Sequence, residues 1–376
     1  MLENLNFLSK LKTIFISIVF MSTVLSAQNL IKAQNVLGDV FGITYASKAW
    51  ISTNYTKIQT YPLPPVLSEE DNATNEIPTK KNILVKALYD GKNIAFLLKW
   101  KSNTPIDNNE SNTSSESLSV QFSTGENNLS YVDMGDKNSS VLIYNLKTIK
   151  HMSETLDDSN ITVKSVETQK VKKVFAAFGQ NNIKKILPGS DDYTFDMSLV
   201  NGYWLATFTR TLNDNLKNLN GGVFAISFSI RHDLSAQTNR SRNLSPWIAV
   251  QLSGEHGNKT LQDRLTQQVT GDIANGESIA YKNCSICHRY KNVKRAPQNM
   301  APNLTYAGGL FDSTYLVNSI IHPSSVIAQN YYDSNTTNFL WQSSDDNGKS
   351  ISTMPSFEWL SQKDMNDLIA FLQTLK

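Results

Sequence analysis

Cysteine is scarce in this chain, with two residues among 376, and neither sign of charge is in large excess. Two cysteines cannot brace a protein of this length, so a disulfide-stapled scaffold is excluded. The formal net charge of +2 is too small for a nucleic-acid-binding protein that works through a general electrostatic field. The most apolar stretch, residues 14–25, has 12 residues, fewer than the roughly 18–20 that span a bilayer.

The start of the chain has the pattern of a secretory signal peptide. Lys10 and Lys12 precede the apolar stretch, and the small residues Ser26 and Ala27 follow it. We therefore predict that residues 1–27 are a cleaved signal and that the mature protein is soluble in the periplasm. An uncleaved anchor is the alternative, which the short apolar stretch disfavours.

The length favours two domains at about 100–200 residues per domain. Residues 40–255 contain many short strand-like runs without long amphipathic helices, which predicts an antiparallel β-sandwich. Within it, Asp90-Gly91 between two apolar runs is typical of a hairpin. The polar stretch Ser102–Ser117 is predicted to be an exposed loop.

The strand-like pattern of the chain ends in the polar segment Gly254–Asp272, where we place the domain boundary. Residues 268–376 are predicted to form an all-α domain. Its last helix should begin at Ser361, because Asp364 stands three residues later in a capping arrangement and apolar residues then recur at helical spacing.

Both cysteines lie in the segment Cys284–His288, which has the spacing Cys-x-x-Cys-His. This is the attachment pattern of c-type haem: two thiols three residues apart add to the two vinyl groups of one porphyrin, and the adjacent histidine reaches the iron. A zinc site would need a second pair of ligands, and the chain has no other cysteine. A redox dithiol would need a βαβ setting, whereas this motif follows a predicted helix.

The second axial ligand of the iron is sought by exclusion. Met354 precedes a proline in the loop before the last helix, and we predict that it completes the coordination opposite His288. Met300 and Met365 are interpreted as loop and core residues, as most methionines are. His322 is a competing ligand, but its place before a proline at a helix end is typical of a structural residue. A His288/Met354 pair leaves no open position for a substrate, which favours electron transfer over catalysis.

The segment Asp272–Lys376 resembles class I cytochrome c. The resemblance rests on Gly276 before the haem motif, the run Ala301–Leu304 after it, Met354-Pro355 and the closing helix. It implies that the carbonyl of Pro302 accepts a hydrogen bond from His288 and so fixes the ring orientation.

Four basic residues crowd into seven positions beside the motif. An ordinary solvated loop is one interpretation, and a docking patch that steers an acidic partner is the other. These residues are Arg289, Lys291, Lys294 and Arg295.

A series of short motifs runs along the β-rich region from Trp50 to Leu252. These are Lys86–Gly91, Ala95–Trp100, Ser119–Phe122, Asp133–Asp136, Val141–Tyr144, Thr209–Leu212 and Leu244–Trp247. With these motifs in this order, the region resembles the haem-binding γ subunit of ethylbenzene dehydrogenase and related periplasmic molybdoenzymes of the DMSO reductase family. Members of the wider group with an added c-type domain resemble subunits of nitrite oxidoreductase.

In that family the β domain holds a non-covalent haem b between a methionine and a lysine. The resemblance places the methionine at Met134, but the lysine position holds Arg242. A guanidinium stays protonated and has no lone pair to donate to iron. Haem b binding therefore stays open at this stage, as do a different second ligand and a five-coordinate iron.

Together these patterns predict an exported electron-transfer subunit that is not itself an enzyme. It carries one covalent haem c, attached at Cys284 and Cys287, whereas the haem b that the resemblance implies stays open because of Arg242. Its predicted partners are a molybdopterin-containing catalytic subunit, an iron–sulfur subunit and a cytochrome or other electron donor or acceptor. The alternative is a ligand- or carbohydrate-binding β-sandwich tethered to a monohaem cytochrome c.

Overall fold

The structure, a computed structural model, describes most of the chain after the predicted signal segment 1–27, which lies outside the described residues. The described ranges are 29–63, 79–102, 113–125, 129–136, 139–156, 162–179, 182–187, 192–214, 216–219, 221–234, 242–255, 257–297, 300–327 and 341–376.

The N-terminal region is a β domain whose described residues form a 13-stranded sheet. A 3-10 turn, Lys48–Ser52, lies between the first two strands. The strands are β1 Leu30–Asn35, β2 Thr56–Leu63, β3 Lys81–Tyr89, β4 Asn93–Lys101, β5 Thr113–Ser123, β6 Val141–Leu156, β7 Thr162–Ala177, β8 Ile183–Ile186, β9 Tyr193–Val200, β10 Tyr203–Thr211, β11 Val223–Leu234, β12 Arg242–Leu244 and β13 Ile248–Leu252.

The sheet runs in the order β8-β7-β6-β5-β11-β12-β2-β3-β4-β10-β9. Strand β1 lies off this path and pairs in parallel with both β13 and β3. The prediction of an antiparallel sandwich is therefore wrong at β1, because β1 is joined to neither partner by a hairpin and pairs in parallel with two strands that follow later in the chain. The predicted hairpin at Asp90-Gly91 is confirmed between β3 and β4, with Gly91 in the left-handed region at φ +87°.

Aromatic rings from strands that are not neighbours in the sheet meet in the core of the β domain. Phe208 of β10 lies 6.1 Å from Phe122 of β5 and 5.0 Å from Tyr144 of β6, measured between ring centroids. The guanidinium of Arg210 is completely buried beside them, 5.1 Å from the Phe122 ring. It is paired with the Asp214 carboxylate at 2.6 Å. The core thus combines a large apolar cluster with one buried ion pair.

Two predicted boundaries of the β domain need correction. The sheet begins at Leu30, ten residues before the predicted start at 40. Strand β5 begins at Thr113, so the last part of Ser102–Ser117 is a strand and not an exposed loop. The buried carboxylate of Glu116 explains this, because it accepts a hydrogen bond from the Trp100 indole at 3.1 Å. Residues 103–112 of that stretch lie outside the described residues.

The C-terminal region contains five helices and one hairpin among its described residues. The hairpin corrects the prediction of an all-α domain, and Gly348 at φ +74° supplies its turn. The elements are α1 Lys259–Thr266, α2 Ile273–Ile279 with a following π-helical turn Ala280–Cys284, α3 Ala307–Leu310, α4 Ser313–Ile321, β14 Gln342–Ser344, β15 Ser350–Ser352 and α5 Gln362–Leu372.

The N-cap predicted for the last helix is confirmed. The Ser361 hydroxyl accepts a hydrogen bond from the Asp364 amide at 3.1 Å, and helix α5 follows at once. Helix α5 crosses α2 at Gly276, where an added Cβ would lie only 2.0 Å from the Asp367 carbonyl oxygen. This crossing lets the two helices approach backbone to backbone.

The polar segment Gly254–Asp272 does not separate the two regions as a simple linker. It contains α1, whose Leu261 and Leu265 are buried in an apolar cluster with Trp247 of the β domain. No helix in the described part of the chain is long and apolar enough to cross a membrane.

Candidate haem site

The Cys-x-x-Cys-His motif continues the π-helical turn that follows α2. The amides of Cys287 and His288 donate hydrogen bonds to the Cys284 carbonyl at 3.1 and 2.8 Å. Residues three and four apart in such a turn share one face. The two thiols and the imidazole are therefore brought to the same side of the turn.

The Cys284 thiol does not have the lowered pKa of a reactive dithiol. Neither cysteine forms a disulfide. Burial, with a smaller effect of Cys287, raises the pKa of the Cys284 thiol to about 11. Reactive dithiols depend on a lowered thiol pKa. The local chemistry therefore disfavours the dithiol alternative.

His288 is oriented by the hydrogen bond that the cytochrome c resemblance implies. Its Nδ1 lies 2.7 Å from the Pro302 carbonyl oxygen. Because a carbonyl only accepts, Nδ1 carries the proton and Nε2 keeps its lone pair for a metal. Burial lowers the pKa of His288, which favours the neutral imidazole that coordinates iron.

Met354 enters the same apolar cluster as Cys284. It follows the β14–β15 hairpin, and its amide donates to the Ser352 hydroxyl at 3.1 Å. The amide of the preceding Thr353 donates to the Trp341 carbonyl, also at 3.1 Å. The half-buried Met354 side chain packs in the cluster that Leu316 and Cys284 also join. Iron coordination by Met354 stays a prediction.

Of the competing ligands, Met365 packs in the same apolar cluster as Met354, whereas Met300 and His322 are not part of that cluster. Met365 is buried in α5 with 6% exposure, and Met300 is half-buried in the loop before Pro302. The side chain of His322 is 57% exposed, and its Nδ1 lies 3.5 Å from a carboxylate oxygen of Glu358. The burial and contacts of these three residues agree with the structural roles assigned to them.

An orphaned polar atom supports the fit of a large cofactor. The Tyr290 ring is buried in the same cluster, 5.9 Å from Phe371, and its hydroxyl has no hydrogen-bond partner among the described residues. Burial raises the pKa of Tyr290 to about 12. With the two free thiols, the oriented His288 and the Met354 thioether, the residues present fit a covalently attached haem.

The basic loop is partly used to hold the motif. Arg295 donates to the Ser285 hydroxyl and to the Tyr281 carbonyl at 2.9 Å, and Arg289 donates to the Ala296 carbonyl at 2.7 Å. The sequence did not indicate a role for the buried Ser285, because a serine inside the motif gives no signal of its hydrogen bond with Arg295. Of the four cations, the two arginines brace the loop.

The two residues that the second resemblance singles out also meet in the structure. Met134 and Arg242 are 108 positions apart, yet Nη1 of the arginine lies 4.0 Å from the Met134 sulfur. Arg242 forms an ion pair with the buried Asp133. Burial raises the pKa of Asp133 to about 6, against the opposing effect of Arg242.

These residues do not fit an axial pair for haem b. The guanidinium offers no lone pair, and its charge is already committed to a carboxylate. Residues of the C-terminal region cover the same place: Phe311 and Tyr306 join the cluster in which Met134 packs.

Exposed aromatics that would favour sugar binding are sparse on the described β domain. Three rings in this described part are exposed, those of Tyr45, Tyr55 and Tyr203. Tyr55 and Tyr203 each carry a lysine over one face, Lys86 at 4.7 Å and Lys99 at 4.4 Å from the ring centroid. Trp100 and Trp204 are stacked at 6.4 Å but buried. Tyr45 is therefore a single exposed ring and not a row of stacked aromatics.

Comparison with known proteins identifies the C-terminal region by class. Residues 273–376 match the family model of Cytochrome c, so this region is a cytochrome c domain and implies covalent haem c and haem-based electron transfer. Among solved structures, the β domain is distantly similar to two complexes of a family 9 carbohydrate-binding module from Caldicellulosiruptor kristjanssonii. Its glucose complex has 11% identity and a TM-score of 0.32, over 61% of this chain and 98% of the module.

The cellotriose complex of that module gives 10% identity and a TM-score of 0.32, over 60% and 95% of the two chains. These values are too low to support any statement on function. No curated protein sequence matches the chain.

Proposed function

We propose that this chain is an exported electron-transfer subunit that relays electrons between a periplasmic molybdopterin and iron–sulfur oxidoreductase and a further redox partner. The observation that carries the proposal is the placement of His288, held by Pro302, in a motif whose Cys284 shares one apolar cluster with Met354. Ligands on both sides of an iron leave no position for a substrate.

Each residue of the site has a separate role. Cys284 and Cys287 would attach the cofactor, and His288, through Nε2, and the Met354 thioether would hold its iron. A covalently bound haem supplies one-electron oxidation and reduction at its iron. The surrounding apolar side chains would limit the access of solvent to the cofactor.

The periplasmic location and the partners are supported by the sequence. The basic start, short apolar stretch and small residues of 1–27 are typical of export. The order of short motifs along the β domain supports docking on a molybdoenzyme of the DMSO reductase family.

The ligand assignment is tested by replacing Met354 with alanine in the full chain, produced in a host that attaches haem c. We expect the Met354→Ala protein to lose the far-red methionine–iron charge-transfer band and to have a lower reduction potential, since a methionine ligand raises the potential. Met300→Ala is the matched control and should keep both. A band that persists in Met354→Ala would refute the assignment.

The partner assignment is tested by purifying the chain from its native periplasm at low ionic strength. Molybdenum and acid-labile sulfide should elute with the haem absorbance. Elution of the haem protein without molybdenum would remove the proposed complex while leaving the cytochrome assignment intact.

A further inference from the structure

We infer that the loop Tyr131–Asp136, together with Arg242, is the surface on which the β domain holds its own cytochrome c domain, and that this use leaves the β domain without a haem. The chain then carries one haem only. The inference rests on the proposed electron-transfer function and deepens it, because it assigns the exchange of electrons to the cytochrome c domain alone.

The loop is fixed in an unusual conformation. Met134 adopts φ +66° and Gly135 φ +67°, two successive left-handed residues. An added Cβ at Gly135 would lie 2.6 Å from the Ala177 carbonyl oxygen, so the loop is pressed against β7. The Gly179 amide donates to the Met134 carbonyl at 2.8 Å. A methionine in this region is held there by its surroundings, which points to a role for its position.

The side chains of the loop contact the cytochrome c domain. The Tyr131 ring lies 5.8 Å from Phe311 and 5.5 Å from Tyr315, with interplanar angles of 17° and 26°. Val132 and Met134 pack in one apolar cluster with Leu310 at the end of α3. The Met134 side chain, which the resemblance assigns to the haem iron, is therefore packed together with apolar groups of the other domain.

The polar side of the loop is closed by an ion pair. Asp133 is 3% exposed and is paired with Arg242, which also reaches the Met134 sulfur at 4.0 Å. Removing either partner would leave a buried charge uncompensated. The pair therefore fixes Arg242, which holds the position that the resemblance assigns to the second iron ligand.

The haem content of the wild-type chain tests the inference directly. Total iron and the pyridine haemochrome of the purified holoprotein should both give one haem per chain, and acid–acetone should extract none. One extractable haem per chain that disappears in Met134→Leu would overturn the inference. That outcome would not touch the proposed function, which is read independently from the covalent haem and its charge-transfer band.

The docking surface is tested by changes that act across the two domains. Tyr131→Ser should lower the midpoint of thermal unfolding seen by Soret absorbance, which reports the cytochrome c domain. Tyr315→Ser should lower the midpoint seen by the β-sheet circular dichroism signal. Tyr45→Ser, at an exposed ring, is the control and should change neither. If each of the first two variants shifts only the signal of its own domain, the docking surface is refuted.

Discussion

The crossing of α2 and α5 gives a quantitative prediction for Gly276→Ala. The new Cβ would lie 2.0 Å from the carbonyl oxygen and 2.6 Å from the carbonyl carbon of Asp367. Because ordinary contacts of a Cβ begin near 3.4 Å, the helices would have to separate by 1.4 Å. The clashing atoms belong to the backbone of α5, so no change of side-chain rotamer relieves them.

Two opposing free energies set the expected size of the effect. Alanine is favoured over glycine in a helix by about 1 kcal/mol. Overpacking of a close contact costs about 1–3 kcal/mol and occasionally more, and this contact lies at the severe end because backbone is involved. We therefore expect a net destabilisation of about 2 kcal/mol, a fall of roughly 8–16 °C in the unfolding midpoint for a domain of about 100 residues.

The measurement is thermal unfolding of the holoprotein followed by Soret absorbance, which isolates the cytochrome c domain in a two-domain chain. Gly221→Ala, in the β domain and followed by the β-sheet circular dichroism signal, is the control for a glycine-to-alanine change without a clash, because a Cβ at that position would meet nothing within 4 Å. Its effect should stay within about 0.5 kcal/mol. A Gly276→Ala protein as stable as the wild type would refute the close crossing.

Three further predictions follow from charges in the structure. Arg210→Met should destabilise the β domain by about 3–5 kcal/mol in denaturant unfolding, because it leaves the buried Asp214 carboxylate unpaired. Lys170→Met, which removes an ion pair at the surface, is the control and should have little effect. Equal effects of the two variants would contradict the importance of the buried pair. Hydrogen bonds, first that from Lys363, lower the pKa of Asp367 to about 2, so its contribution to stability is present above the unfolded-state pKa near 3.8 and lost as the pH falls through 2. The free energy of unfolding should therefore fall less steeply with decreasing pH in Asp367→Asn than in the wild type. An unchanged slope would contradict this role of the Asp367 carboxylate. If the basic loop steers anions, Lys294→Glu should slow the oxidation of the haem by ferricyanide and weaken the salt dependence of that rate, as measured by stopped-flow absorbance. An unchanged rate would favour an ordinary solvated loop.

Local patterns of the sequence predicted the elements that depend on neighbouring residues. The Ser361 cap, the Asp90-Gly91 turn and the Cys284–His288 turn each follow from residue types a few positions apart. Such signals hold because the hydrogen bonds they describe close within one turn of the chain.

Contacts between distant segments were not predictable in this way. Nothing in the residues near Tyr131 indicates that its ring packs on Phe311, 180 positions later. The parallel pairing of β1 was missed for the same reason, since its partners β3 and β13 lie far along the chain. For the haem site, the motif was recognised from its spacing, and Met354 was assigned by exclusion and stays a prediction. The orphaned Tyr290 hydroxyl and the Ser285–Arg295 hydrogen bond depend on tertiary packing.

The packing of α1 has a kinetic consequence. A cytochrome domain on a free tether must search for its partner, and its rate of electron transfer then depends on tether length and solvent viscosity. Here Leu261 and Leu265 fasten the connecting segment to the β domain, and Arg264 pairs with Asp312 of the cytochrome c domain at 3.0 Å. Electron exchange within a docked complex should accordingly follow a single exponential whose rate constant is insensitive to added glycerol.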